Sequence, residues 1–569
     1  MISDKKPVQD FIQLLDQHNI REIILCPGSR NAPFSMSLAG DRRFQLHSVP
    51  DERSAAFVAI GMAQQINSPV AIICTSGTAA LNFAPALAEA YYQRIPLLVV
   101  TADRPLEWID QGEGQSIRQR NVYRNYVKAS YEIAEEAMEG DLVWYNARIM
   151  DEAMRLANEG VRGPVHINFP LREPLYNQVD NPKHAVKMIE RANAQFRLTH
   201  DEIAAFQLRI ATSSKVMVLA GQMQADAAML QSIIQFSKRR NVSVLTEAHS
   251  NLADEGFVTT IDRMLAGLDE PGREYLKPEL LITVGHNIIS RKIKALLRSS
   301  QLEHWHVDIS GEGLDTLKKL TKVIQLTPTE FFENMNLAAD ASASDYRAWI
   351  LEKNECTTKA ANEYAQACAW SDLQAFDIIH AAIPPSSDVQ MGNSSVVRYI
   401  LLNDARRDLR YFGNRGVAGI DGCTSTAVGF AHVSKSLTTL ISGDIAFFYD
   451  SNAFWNRLDK SNLKIIVINN GGGGIFRIID GPDPQSQALE TYFETTHTRS
   501  AQGLAAMYGI PFFSAKDADS LRKGIDWLYN QNECAILEVN TPRLENSPVL
   551  KEYFEFIKHK TTNQSSLEN

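Results

Sequence analysis

The residues best suited to chemistry lie in the last third of the chain. There Ile441-Ser442-Gly443-Asp444-Ile445 is answered, 26 positions after Asp444, by Asn469-Asn470-Gly471-Gly472-Gly473-Gly474. A carboxylate, a side-chain amide and a glycine backbone are the oxygen donors a hard divalent cation takes; Mg²⁺ binds about six oxygens, a few from protein and the rest from phosphate and water. We therefore read Asp444 Oδ, Asn470 Oδ and the Gly472 carbonyl as a candidate site for Mg²⁺ or Mn²⁺. Glycines 471–474 would let the backbone approach a diphosphate with no Cβ in the way.

A second set of residues is cationic. Cys26-Pro27-Gly28-Ser29-Arg30-Asn31-Ala32-Pro33 and Thr101-Ala102-Asp103-Arg104-Pro105 each follow an apolar run, and so do Gln390-Met391-Gly392-Asn393-Ser394-Ser395-Val396-Val397-Arg398 and Phe412-Gly413-Asn414-Arg415. Arginine forks bind carboxylates bidentately. Four arginines (30, 104, 398 and 415) at strand ends of an acidic chain point to a substrate with several carboxylates. If a helix begins at Ser394, Arg398 projects from the same face. Ser48-Val49-Pro50-Asp51-Glu52-Arg53 places an acidic pair at the entrance to an alanine-rich helix, where the macrodipole favours it. Gln111 to Gln115 adds a polar loop.

Apolar β-type runs carry these turns. They recur at 23–26, 70–74, 97–100 and 165–167, then at 216–219, 242–246, 280–284 and 306–309, and again at 388–391, 437–441, 463–468 and 535–539. Amphipathic helical stretches lie between them, the pattern of α/β domains with parallel sheets, whose ligands bind at the carboxyl edge. Residues 177–200 read as a linker and 338–370 as a helical connector. The expected organisation is three doubly wound parallel-sheet domains of one shared architecture, at 1–180, 195–345 and 370–558, followed by a frayed polar tail at 559–569.

Composition fits this picture. The 569 residues are 44% apolar and 22% charged, ordinary for a protein with several buried cores. A net charge of −10 with no dominant basic run argues against nucleic acid as a partner. No run of about 18 uncharged apolar residues and no apolar leader is present, so the expected location is cytoplasmic, with no membrane span. Six scattered cysteines without a Cys-x-x-Cys pair read as small core residues.

Gly-Asp, a spacer of 24 residues and Asn-Asn after a second apolar run resemble the cofactor signature of thiamine-diphosphate enzymes; Ile445 stands where glycine or alanine is commoner. With Ser-Arg-Asn-Ala-Pro, Asp-Glu-Arg, Thr-Ser-Gly-Thr-Ala, Thr-Ala-Asp-Arg-Pro, Gly-Asn-Ser-x-x-Val-Arg, Asn-Arg-Gly-x-x-Gly-Ile-Asp-Gly and Asn-Asn-Gly-Gly-Gly-Gly-Ile-Phe, the resemblance narrows to the 2-succinyl-5-enolpyruvyl-6-hydroxy-3-cyclohexene-1-carboxylate synthases of menaquinone and phylloquinone biosynthesis.

That resemblance implies thiamine diphosphate with Mg²⁺ or Mn²⁺ as cofactors, 2-oxoglutarate and isochorismate as substrates, and a homodimer or homotetramer with its site shared between chains. It implies Glu52 as the catalytic activator of the cofactor's pyrimidine, and Gly443, Asp444, Asn470 and Gly472 at the diphosphate and cation. Ile420 would prop the bent cofactor, with Ile475 and Phe476 as an apolar wall near its reactive ring. Ser29, Arg30, Arg104 and Gln115 fall on the isochorismate side, and Ser394, Arg398 and Arg415 on the 2-oxoglutarate side. Arg291 or its neighbour Lys292 supplies one further cation, and Gly114 stands where that family often has asparagine. A thiamine-dependent 2-oxo acid decarboxylase or acetohydroxyacid synthase fits the arginine set less well, since pyruvate has no second carboxylate. A non-catalytic nucleotide-binding scaffold would not require an acid at position 52.

Overall fold

The computed structural model describes residues 1–135, 137–180, 185–192, 194–336, 344–479, 483 and 486–565, with side chains to residue 562. Three six-stranded sheets follow one another along the chain, every neighbouring pair of strands parallel, with helices between them. In the first, the strands lie in the order Gln45–Ser48, Glu22–Leu25, Val70–Cys74, Leu97–Asp103, Val165–Pro170, Ser130–Glu132. In the third the order is Leu409–Phe412, Ser387–Met391, Thr438–Gly443, Leu463–Asn469, Ala535–Asn540, Phe512–Ala515. Numbered within each domain, both read 2-1-3-4-6-5.

The middle sheet differs. Its strands are Phe257–Val258, Val242–Thr246, Val216–Ala220, Leu280–Val284, Glu303–Val307 and Leu320–Ile324, an order of 3-2-1-4-5-6. The three domains share the expected parallel-sheet architecture, and a common strand order holds for the outer two. The topological switch, where crossovers leave in opposite directions and open a crevice, falls between the Glu22–Leu25 and Val70–Cys74 strands in the first sheet. In the third it falls between Ser387–Met391 and Thr438–Gly443.

Central strands form where apolar residues run unbroken because both faces are covered. Val70–Cys74, Leu97–Asp103, Val242–Thr246, Leu280–Val284 and Leu463–Asn469 are buried throughout. Glu303–Val307 begins earlier than the run expected at 306–309, because its register follows Leu280–Val284, where Leu280 pairs with Glu303. Within the stretch read as a linker, Gln178–Val179 pairs antiparallel with Ile2–Ser3 and ties the chain start to the end of the first domain. The connector contains the helix Tyr346–Ala367; residues 337–343 lie outside the described residues.

The tail expected at 559–569 is a correction. The final helix, Asn546–Ser565, runs through most of it, because Ile557 is fully buried and Thr561 Oγ1 donates to the Gly267 carbonyl of the middle domain at 2.8 Å. Residues 566–569 lie outside the described residues.

The outer domains meet directly. Helix Glu52–Ile66 of the first crosses Cys423–Val433 of the third, and the crossing is glycine-dependent: a Cβ on Gly61 would overlap the Thr426 carbonyl, and one on Gly429 the Val58 carbonyl. Backbones this close leave no room for any side chain, so these two positions fix how the domains sit. Around them Ala55, Val58, Ala59, Met62, Ala427, Val428 and Ala431 join the core that spans both domains. No helix among the described residues is long and apolar enough to cross a membrane.

Candidate functional site

Asp444 opens the helix Asp444–Tyr449 at the carboxyl end of Thr438–Gly443, and Gly443 is the last residue of that strand. Asp444 is buried, and its carboxylate is fixed by three backbone N–H groups: Ile445 N donates to Oδ1 at 2.7 Å, and Gly471 N and Gly472 N donate to Oδ2 at 2.9 and 3.1 Å. The two distant turns are thus joined in fact, with His497 Nε2 3.4 Å from the same Oδ2. Gly471 and Gly472 take φ of +76° and +158°, and a Cβ on Gly472 would crowd the Glu494 carbonyl.

Asn470 is oriented by a residue without a sequence motif. Asp372, fully enclosed, accepts from Asn470 Nδ2 at 3.1 Å and from Thr541 Oγ1 at 2.6 Å. Burial pushes the Asp372 carboxyl up to about 6. With its NH₂ held, Asn470 turns Oδ1 the other way, and this buried oxygen has no hydrogen-bond partner. An unpaired buried amide oxygen beside a fixed carboxylate is costly unless something positive meets it. The donor set fits a divalent cation on that ground. No group of three or more His, Cys, Asp or Glu that could hold a metal occurs among the described residues.

The glycine run differs from expectation in one respect. All four of its amides have partners inside the chain: 471 and 472 on Asp444, 473 on the Glu494 carbonyl at 2.7 Å, and 474 on the Gly472 carbonyl at 3.0 Å. The run wraps a carboxylate rather than presenting a nest of free N–H groups. A diphosphate would be reached chiefly through the cation. Beyond it, Ile475 and Phe476 begin a short helix, half-buried, with the Phe476 ring 5.5 Å from that of Phe493. The π-helical turn Leu489–Glu494 closes over this side.

At the third sheet's switch point, Ser394 precedes rather than begins the helix Ser395–Ile400 and has φ +73°, a strained value for serine. Arg398 lies on that helix, facing the middle domain. Burial, then the charge of Arg291, hold its pKa below the usual guanidinium value, and Ser290 and Glu247 line the same small crevice. Arg415 is nearly buried and donates through Nη1 to Asn393 Oδ1 at 2.6 Å, and its charge is felt by Arg398 and Glu247. Lys292 takes another direction, with Nζ 3.7 Å from the centre of the Phe554 ring. Of the two middle-domain cations, Arg291 is the one beside Arg398. Ile420, half-buried, follows in the same loop as Arg415.

The first-domain residues gather at the other switch point. Arg30 N donates to Thr75 Oγ1 at 3.2 Å, and its guanidinium donates to the Leu171 carbonyl and pairs with Glu173 at 3.3 Å. Arg104 donates through Nε to the carbonyl of Gly114, where the family often has asparagine, at 2.9 Å and pairs with Glu113 at 3.1 Å. Gln115, at φ +54°, packs on Gly77, and Ser29 is exposed at the lip. Glu52 is the first residue of its helix, half-buried; burial raises its carboxyl above the usual range, with Asp51 adding a smaller push. Its neighbours grip the third domain: Asn452 Nδ2 donates to Asp51 Oδ2 at 2.7 Å, and Arg53 donates to the Tyr449 carbonyl. Within the chain no hydrogen bond or ion pair joins Glu52 to Asp444, Asn470 or Gly472 among the described residues.

Comparison with known proteins agrees with this layout. Residues 6–122 match the N-terminal binding domain of thiamine pyrophosphate enzymes, 184–389 their middle domain and 390–539 their C-terminal binding domain. Proteins named 2-succinyl-5-enolpyruvyl-6-hydroxy-3-cyclohexene-1-carboxylate synthase are similar along almost the whole chain. That of Flavobacterium johnsoniae is 39% identical over 96% of this chain and 98% of its own length, and that of Flavobacterium psychrophilum 40% over 97% and 99%. That of Porphyromonas gingivalis is 38% identical over 98% of each. The chain belongs to this synthase family. It is therefore a thiamine-diphosphate-dependent synthase, and the two outer domains of matching strand order are those that the thiamine pyrophosphate matches cover at either end.

Motif reading missed four groups that shape the family's site here: Asp372 behind Asn470, His497 beside Asp444, Asn393 under Arg415 and Glu247 between the arginines. Asn393 lies inside a quoted motif. The other three stand on separate segments with no spacing to reveal them.

Proposed function

We propose that the chain decarboxylates 2-oxoglutarate and joins the remaining four-carbon unit to isochorismate, forming 2-succinyl-5-enolpyruvyl-6-hydroxy-3-cyclohexene-1-carboxylate and CO₂ for menaquinone biosynthesis. The observation that carries this is the cluster of Arg291, Arg398 and Arg415 at the third sheet's switch point. None of the three forms an ion pair among the described residues, and Glu247 is the buried acid between them, its carboxyl raised by burial to about 7. Three guanidinium groups, Arg415 buried, Arg398 half-buried and Arg291 exposed, with a single buried acid between them suit a dicarboxylate better than a monocarboxylate such as pyruvate.

In this reading Asp444 Oδ, Asn470 Oδ1 and the Gly472 carbonyl hold Mg²⁺ or Mn²⁺ against the diphosphate. Bound thiamine diphosphate supplies an electron sink for the pair released as CO₂ leaves. Glu52, lent by a second chain, holds a proton at the cofactor's pyrimidine nitrogen, and burial raises its carboxyl in the direction that favours holding that proton. Ile420, Ile475 and Phe476 exclude water, while Arg398, Arg415, Arg291 and Ser394 orient 2-oxoglutarate. Ser29, Arg30, Arg104 and Gln115 receive isochorismate, with the second chain's rim completing the site. Large exposed apolar side chains on both outer domains, among them Leu81, Tyr92, Trp455 and Met507, support self-association as a homodimer or homotetramer.

The test is incubation with thiamine diphosphate, Mg²⁺ and either 2-oxoglutarate or pyruvate, then isochorismate, with mass measurement of the product. Adduct formation from 2-oxoglutarate alone is expected. Equal or better use of pyruvate would overturn the reading.

A further inference from the structure

We propose that Glu89 is a positioning residue of the first domain that sets the third-domain loop carrying Arg415 and Ile420. Glu89 lies on the helix Ala84–Gln93 and is only 3% exposed. Its carboxylate reaches across the domain boundary to three consecutive backbone donors: Gly416 N donates to Oε1 at 2.5 Å, and Val417 N and Ala418 N donate to Oε2 at 2.8 and 3.2 Å. Three successive amides on one anion form a nest, here with Ala418 in the left-handed region at φ +65°, where alanine is strained. The fit is close: a Cβ on Gly416 would strike the Glu89 backbone carbonyl.

The loop is held from two further sides. Gln93 Nε2 donates to Glu89 Oε1, Gln222 Nε2 of the middle domain donates to Gln93 Oε1 at 2.8 Å, and the same Gln222 group lies 3.3 Å from the Gly413 carbonyl. Inside the third domain, Asn393 Nδ2 donates to the Asn414 and Gly419 carbonyls at 2.7 and 2.6 Å, while its Oδ1 takes Arg415. Glu89 is the one charged acceptor in this arrangement. Removing the charge leaves three partly buried N–H groups facing a poorer acceptor, and the loop loses its tie to the first domain. Each chain's first domain thus has two duties: its rim is offered to a second chain, and Glu89 aligns the 2-oxoglutarate side of its own.

The functional half of this inference rests on the proposed reaction; the latch itself does not. The experiment measures hydrogen exchange of the peptide 412–422 in wild type, Glu89→Gln and Gly416→Ala, together with KM for each substrate. Glu89→Gln is expected to speed exchange in that peptide at least about tenfold and to raise KM for 2-oxoglutarate about tenfold, with KM for isochorismate within about twofold. Gly416→Ala, which loosens the same contact from the other side, should reproduce the pattern and decides the matter if Glu89→Gln does not fold. Unchanged exchange in both variants overturns the latch. Faster exchange with both KM values moving together overturns the positioning role. A wild type that ignores 2-oxoglutarate refutes the proposed reaction, while the exchange result still decides the latch.

Discussion

The two rims of cationic residues are built on the same strand order but meet their ligands in different states. At the first domain's switch point Arg30 and Arg104 already carry counter-ions, Glu173 and Glu113, both exposed on loops. At the third domain's, Arg398 and Arg415 form no ion pair among the described residues, and burial is the main cause that lowers their pKa values, with Arg291 adding to it at Arg398 and Glu247 and Glu89 partly offsetting it at Arg415. The difference lies in electrostatic cost. A carboxylate arriving at the first rim exchanges with a weak, solvated ion pair worth about 0–1 kcal/mol. One arriving at the third meets desolvated guanidinium groups that form no ion pair, so its contacts weigh more. On the proposed reaction, 2-oxoglutarate is the more tightly specified substrate and isochorismate the more loosely held.

The largest effect expected is at the acid itself: Glu52→Gln should lower kcat about 100-fold, within the range for a positioned acid–base group, with cofactor affinity little changed. Unaltered turnover with saturating cofactor would remove Glu52 from the chemistry. Next, Arg398→Ala should raise KM for 2-oxoglutarate about 30-fold, equivalent to roughly 2 kcal/mol, and leave isochorismate nearly untouched. A defect confined to isochorismate would reverse the assignment of the rims. Smaller still, Glu113→Gln should lower KM for isochorismate about twofold, since it deletes only an exposed competitor for Arg104. A large loss would mean that Glu113 itself contacts the substrate.

The last prediction concerns the interface between these domains. Asp450, fully buried, accepts from Ser425 N and Oγ at 2.6 and 2.7 Å, and burial raises its carboxyl to about 7. A carboxyl whose folded pKa lies above its unfolded value binds more protons when folded. Its contribution to stability therefore falls as pH rises from about 4 to 7 and changes no further above that. Thermal unfolding of cofactor-free protein should show a midpoint that declines from pH 5 to pH 7, and Asp450→Asn should flatten the decline in part, Glu247, Asp372 and Asp103 carrying the rest. An unchanged slope would contradict this.

The parts legible in the sequence were those whose physics is local. Val70–Cys74, Val242–Thr246 and Leu280–Val284 are unbroken apolar runs because both faces are covered, and their ends were evident. Edge strands such as Gln45–Ser48 and Ser130–Glu132 are half-exposed and carry polar residues, so no run marks them. The Gly-Asp and Asn-Asn turns were legible because their residue types are those that the proposed cation would demand. Asp372 and Glu89 were not: each acts on backbone or amide groups of another segment, and any carboxylate brought there by the fold would do. The choice of Arg291 over Lys292 likewise needed the direction of a helix, Arg291–Ser299, whose first two residues point to different neighbours. The middle sheet's different order left no trace in spacing either, since parallel strands in any order produce the same alternation.

The central claim is that two turns, one bearing Asp444 and one Asn470, hold a single cation whose place is set by the unpaired Asn470 oxygen. Titration of Mn²⁺ into the protein with thiamine diphosphate, followed by electron paramagnetic resonance, tests this directly by comparing wild type with Asn470→Ala and Asp444→Asn. One tightly bound ion per chain in wild type, weakened at least about tenfold in both variants, is the predicted result. Wild-type affinity retained in both would contradict it.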